Sequence, residues 1–204
     1  DPAPLVEPLI ADPRVRKLTF TGSTEVGRLL YRQSADTVKR ISLELGGHAP
    51  FLVFADADLE EAVSQVMASK FRNAGQTCVC ANRVYVHESL LDEFTARYAA
   101  AAEKLVVGDP LDERTEIGPL VDEQAVAKVN RHVQDAVERG AEVLTGGQRM
   151  DGLYYAPTVL KGVAPDALIM REETFGPVAP IATFSSDSEA VALANASPFG
   201  LAAY

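Results

Sequence analysis

Short apolar runs alternate with segments of helical period along the whole chain, and few folds accept that pattern. Residues 15–20 are apolar-rich and read as a strand. From about Thr24, a helix places Val26, Leu29 and Leu30 on one face. Residues 40–45 alternate, with Ile41, Leu43 and Leu45 on one side and Ser42 and Glu44 on the other. Residues 51–54 are apolar throughout, as in a buried strand. Asp58 opens a helix, with Glu61 in capping-box position and Leu59, Ala62, Val63, Val66, Met67 and Phe71 at helical spacing. Residues 82–87 form the next strand. Ser89 then caps a helix carrying Leu90, Leu91, Phe94, Tyr98 and Leu105. Asp122 opens another, with Val126, Val129, Val133 and Val137 inward, stopped by Gly140. Residues 142–145, 158–160 and 178–184 are further strands, and 187–195 a last short helix. This alternation predicts an α/β layer fold. Gly46-Gly47 breaks a strand and is a plausible hinge, dividing the chain into 1–46 and 47–204.

With 204 residues, 47% of them hydrophobic, the chain can bury one large or two small cores. A formal net charge of −10 argues against nucleic acid and against an anionic membrane surface. No apolar run has the length of a membrane span, and the first residues lack the regions of a signal peptide. Two cysteines two residues apart are no disulfide framework, so a reducing cytoplasm is the default location. His48, His87 and His132 are scattered, lack zinc-ligand spacing and are assigned no role. The chain begins without methionine and stops inside a strand-like run, so we expect a portion of a longer enzyme.

The chemistry centres on Asn73-Ala-Gly-Gln-Thr-Cys78-Val-Cys80-Ala-Asn-Arg83. A cysteine at the end of a glycine-containing turn, where an apolar strand begins, is placed to act as a thiolate nucleophile. Taken alone, a free cysteine is more often a small buried hydrophobe. The turn favours function: glycine allows close approach by a ligand, and the Cys78 N–H could bind an oxyanion. Cys80 would share a face with Cys78 if the segment were extended. It is then either a small strand residue or a thiol that pairs with Cys78 under oxidation in a strained, labile bridge.

Three more motifs accompany this one: Phe20-Thr-Gly22-Ser23-Thr-Glu-Val-Gly27, Leu43-Glu44-Leu45-Gly46-Gly47 and Glu173-Thr-Phe175-Gly176-Pro177. In order and approximate spacing the four together resemble the aldehyde dehydrogenase superfamily over nearly the whole chain. The cysteine segment is most similar to the succinate-semialdehyde dehydrogenase branch. The resemblance implies an aldehyde dehydrogenase-like catalytic domain over 47–204, preceded in 1–46 by the final strand–helix–strand part of a dinucleotide-binding domain.

It also implies roles. Cys78 is the nucleophile. Glu44, flanked by leucines, is the general base, and a carboxylate in apolar surroundings suits that task. Gly22 and Ser23, at a helix N-terminus, meet the diphosphate of NAD or NADP, although Thr-Gly-Ser by itself is only a helix cap. Glu173 holds the nicotinamide ribose and Phe175 lines the nicotinamide pocket. Arg72 clamps a distal carboxylate on the substrate; otherwise it is a snorkelling arginine at a helix end. The implied reaction oxidises a small-molecule aldehyde, succinate semialdehyde first and glutarate semialdehyde as the alternative, in a homo-oligomeric parent enzyme. A cofactor-independent thiol hydrolase and an inactive fragment are the rival readings.

Overall fold

The computed structural model describes residues 2–204. They fall into two compact units, 1–46 and 47–204. The fold is mixed α/β, and the strand pairing is mostly parallel.

The first unit holds α1 (Ala3–Ala11), β1 (Lys17–Thr21), α2 (Thr24–Gln33) and β2 (Arg40–Glu44). β1 and β2 pair in parallel, with Thr21 opposite Glu44. Their exposure alternates along both strands, as the sequence pattern demands. α2 crosses close to the strands: a side chain at Gly27 would strike Leu45 Cδ2. Helix α1 is not among the expected elements, which begin with the strand at 15–20. Pro4 lies in the first turn, where a missing N–H costs nothing, and Pro8 is carried inside the helix.

The second unit contains β3 (Ala49–Val53), α3 (Leu59–Phe71), β4 (Ala81–His87), α4 (Leu91–Glu103) and α5 (Glu123–Glu138), followed by β5 (Glu142–Thr145), β6 (Thr158–Lys161), α6 (Leu168–Arg171), β7 (Val178–Phe184) and α7 (Asp187–Asn195). The sheet order is β3-β4-β7-β6-β5, parallel except for β5 against β6. β4 is buried along nearly its whole length, although Asn82 and Arg83 interrupt its apolar residues. Its one cation, Arg83, is 1% exposed. The guanidinium donates to the carbonyls of His48, Leu193 and Ala194 at 3.0, 3.0 and 2.9 Å. Two of these acceptors lie at the end of α7, where a positive charge opposes the helix dipole.

Several local expectations are corrected. Asp58 does cap α3, accepting from Glu60 N and Glu61 N, but the Glu61 carboxylate turns forward to Gln65 rather than back to the cap. Ser89 caps nothing. Instead His87 Nδ1 accepts from Ser89 N in a short 3-10 turn before α4, which gives His87 a structural role. Val137 is 44% exposed, because the buried stripe of α5 runs through Val126, Val129, Val133 and Ala136. No helix among the described residues is long and apolar enough to cross a membrane.

His48 follows Gly47 at the start of this unit and is 1% exposed, its ring nitrogens without a well-formed hydrogen bond beyond a weak approach to the Met170 backbone. Burial, aided by the charge of Arg83, lowers its pKa from 6.5 to about 3. The unfolded chain therefore binds a proton that the folded chain refuses between those values. Stability from this source is complete above pH 6.5 and falls as pH drops towards 3, by up to about 1.4 kcal/mol per unit. Denaturant melts from pH 7 to pH 4.5 should show this slope, and His48→Phe should flatten it; equal slopes in both proteins would assign the acid sensitivity elsewhere.

Candidate active site

The turn that carries Cys78 is unusual from its first residue. α3 ends at Phe71, and Asn73, Ala74 and Gly75 then follow with φ of 52°, 54° and 72°. Only glycine adopts such angles without strain, so something must hold Asn73 and Ala74 there. Gln76 does much of it. Its Nε2 donates to Asn73 O and Pro119 O at 3.2 and 3.3 Å, and its Oε1 accepts from Val121 N at 2.9 Å. Asn73 Nδ2 donates back to Gln76 O at 3.0 Å. An amide between glycine and threonine looks solvent-facing in sequence, and so Gln76 was missed.

Cys78 is half-buried in the turn that follows, which closes through Cys80 N to Thr77 O at 3.2 Å. β4 begins only at Ala81, whose N–H donates to Ser69 Oγ on α3. The segment is therefore not extended between the two cysteines, and the premise that they share a strand face does not hold. Both thiols are free.

Two other motifs close around this turn within the same unit. Gly47 N donates to Glu173 Oε1 at 3.1 Å, and a side chain at Gly47 would collide with the Cys78 carbonyl oxygen. Gly75 lies so close to the Gly176 carbonyl that no Cβ fits between them. Glycine at each position is thus a requirement of close approach. Burial raises the pKa of Glu173, opposed by the Gly47 N–H and by the charges of Lys128 and Lys70. Phe175 is 37% exposed with φ of 55°, a third strained non-glycine residue at the site after Asn73 and Ala74. Behind it Thr174 Oγ1 meets His132 Nδ1, while His132 Nε2 meets Glu172 Oε2, each at 3.2 Å. His132, to which sequence assigned nothing, fastens this motif to α5.

Arg72 follows α3 directly, and among the described residues no hydrogen bond or ion pair ties its guanidinium. It lines a cleft of about 260 Å³ with Thr77, Val79, Phe51, Ser69 and Tyr204. Tyr204 reaches across to donate from its hydroxyl to Val79 O at 2.8 Å.

Gly22, Ser23 and Glu44 belong to the first unit. Gly22 N donates to Glu44 O at 3.0 Å, so two motifs meet at the carboxyl ends of β1 and β2. Phe20 folds its ring over Gly22. Ser23 is the N-cap of α2 and accepts from Val26 N at 3.3 Å. Glu44 is exposed, not enclosed by its leucine neighbours, because β2 alternates and turns Leu43 and Leu45 the other way. Among the described residues no three His, Cys, Asp or Glu side chains gather as a metal site would require.

A family model described as "Aldehyde dehydrogenase family" matches residues 2–204. The chain belongs to the aldehyde dehydrogenase family. It is 54% identical over 198 residues to the NADP(+) succinate-semialdehyde dehydrogenase GabD of Escherichia coli, covering 96% of this chain and 41% of that protein. It is 53% identical over 190 residues to a glutarate-semialdehyde dehydrogenase of Pseudomonas putida, covering 93% and 40%. The crystal structure of a succinate-semialdehyde dehydrogenase from Burkholderia pseudomallei superposes with a TM-score of 0.98 at 54% identity, over 100% of this chain and 43% of that one. The chain thus spans about two fifths of the length of these aldehyde dehydrogenases.

Proposed function

We propose that this chain supplies the thiol-bearing part of an NAD- or NADP-dependent semialdehyde dehydrogenase, with residues 1–46 contributing to the dinucleotide site and 47–204 to the catalytic domain. The observation that carries this reading is the Cys78 turn. A half-buried thiol sits in a strained loop braced by Gln76, Gly47 and Gly176. Among the described residues no acceptor takes the Cys78 N–H, which leaves it available to an oxyanion.

In this mechanism Cys78 attacks the aldehyde carbon to form a thiohemiacetal, and its own N–H supports the developing oxyanion. A dinucleotide held by Glu173 and the N-terminus of α2 would supply the hydride acceptor. A thioester on Cys78 remains. Glu44 takes a proton from water, the water cleaves the thioester, and the carboxylic acid leaves.

The residues present fit a dinucleotide at two points. Glu173 uses one oxygen on Gly47 N, and the other can accept from ribose hydroxyls. The N-terminus of α2, opened by Gly22 and Ser23, offers N–H groups to a diphosphate. The exposed ring of Phe175 stands two residues from Glu173 as a wall for the nicotinamide.

For the substrate we favour an aldehyde with a distal carboxylate, succinate semialdehyde first. An unpaired guanidinium in a small cleft beside Thr77 and Val79 suits a carboxylate. Relatives named for the four-carbon and five-carbon semialdehydes are equally similar, so chain length is left to experiment. In the full-length protein, Arg72→Ala should raise KM for a carboxylated semialdehyde roughly ten- to a hundredfold, corresponding to about 1.5–3 kcal/mol for a charge-assisted contact. A neutral aldehyde of similar length should be little affected. Equal penalties on both would make Arg72 a support for the loop only.

Glu44→Gln should leave hydride transfer largely intact and slow thioester hydrolysis. Stopped-flow absorbance would then show a burst of reduced dinucleotide followed by a slow steady state. Disappearance of the burst itself would place Glu44 in the first chemical step. A disulfide between Cys80 and Cys78 would require rearrangement of the 77–80 turn, since the two do not share a strand face.

A further inference from the structure

Behind the Cys78 turn lies a buried polar group that the proposed reaction does not use. Lys70, near the end of α3, is 0% exposed, and Cys80 is 1% exposed. Lys70 Nζ stands 3.6 Å from Cys80 Sγ and 3.1 Å from Asn82 Oδ1. Asn82 Oδ1 is in turn 3.6 Å from the same sulfur, and Gly75 O lies 3.4 Å from it. The amine, the thiol and the amide oxygen therefore form a closed triangle inside the unit. The amide is the right way round, since flipping it would aim two donor hydrogens at the lysine amine.

That orientation leaves Asn82 Nδ2 buried with no acceptor. A buried donor without a partner is costly, on the order of 1–3 kcal/mol, and calls for an explanation. An oxygen atom on the neighbouring sulfur would supply the missing acceptor. Sulfenic acids condense with nearby nitrogen or sulfur nucleophiles, and here the nitrogen is already in contact.

We propose that Lys70 and Cys80 are the site of an oxidative crosslink formed with hydrogen peroxide. In the first step the Cys80 sulfur takes one peroxide oxygen, the O–O bond breaks, and water leaves. The sulfur is oxidised to a sulfenic acid whose oxygen accepts from Asn82 Nδ2. In the second step Lys70 Nζ first gives one proton to solvent, and the lone pair this frees attacks that sulfur. The S–O bond breaks and an S–N bond forms. The departing hydroxyl takes the remaining excess proton from the nitrogen and leaves as water. The product is a sulfenamide that ties the end of α3 to the start of β4. Cys80 is then no longer available to form a disulfide with Cys78.

The crosslink depends on the Lys70–Cys80–Asn82 geometry and not on aldehyde oxidation, so it is read by mass and not by activity. Reduced protein is treated with stepwise equivalents of hydrogen peroxide, quenched in acid, digested and sequenced by tandem mass spectrometry. The expected result is a Lys70–Cys80 peptide pair lighter than its sum by two hydrogens and released by a thiol reductant. A second peroxide equivalent that inserts one oxygen between nitrogen and sulfur, its O–O bond breaking and water leaving, would join the same two residues and would support the proposal. Lys70→Arg should lose the linked pair, as should Cys80→Ser. Cys80 recovered in wild-type protein as a disulfide with Cys78 or as a sulfinic acid, with no linked pair, overturns the proposal. The wild-type digest decides this even if a variant fails to fold.

Discussion

Replacing Cys78 by serine is expected to lower aldehyde oxidation in the full-length protein by at least about a thousandfold while leaving the fold intact. The side chain is half-buried in a turn, makes no hydrogen bond through sulfur among the described residues, and serine matches its shape. What is lost is the nucleophile, because a serine hydroxyl with no adjacent base attacks a carbonyl poorly. Cys80→Ser is the internal control and should keep most of its turnover under reducing conditions. Steady-state rates with a semialdehyde, together with circular dichroism of each variant, make the comparison. Substantial turnover by Cys78→Ser would remove the proposed mechanism.

Gly75→Ala carries the largest expected effect on stability. At φ of 72° any side chain is strained, and this one would be driven into the Gly176 backbone and towards Lys70 O. The neighbours in conflict are main chain and cannot swing away. Strain and overpacking together should cost about 2–4 kcal/mol. Gly140→Ala is a useful reference, having a comparable φ of 96° but nothing within 4 Å of the added carbon. Urea titrations should place Gly75→Ala well below Gly140→Ala. Equal midpoints would mean that the turn relaxes freely, contrary to the bracing described here.

The layered α/β architecture was legible because its strands carry simple burial patterns. β3 is largely buried and reads as an apolar run, while β2 alternates between exposed and half-buried residues. Caps with short acidic side chains, Asp58 and Asp122, were legible because they need only their own following N–H groups. What could not be read depends on distant partners. The bend at Asn73 and Ala74 exists because Gln76 is pinned to the Pro119–Val121 stretch over forty positions away. The same holds for His132, whose role follows from Thr174 and Glu172. The enclosure expected of Glu44 failed for a local reason, since flanking leucines in a strand point away from it. Motif order could bring Gly47, Cys78 and Glu173 to mind together, but only the packing of glycine against a carbonyl explains why they must be adjacent.

Covalent catalysis by Cys78 requires an acyl intermediate on its sulfur, and that intermediate can be trapped. Full-length Glu44→Gln protein is mixed with succinate semialdehyde and oxidised dinucleotide, quenched in acid within the burst phase, digested and analysed by mass spectrometry. An acyl group is expected on the peptide containing Cys78, attached at that sulfur, in amounts matching the reduced dinucleotide formed. Reduced dinucleotide accumulating with Cys78 unmodified, or with the acyl group on Cys80, would contradict covalent catalysis by Cys78.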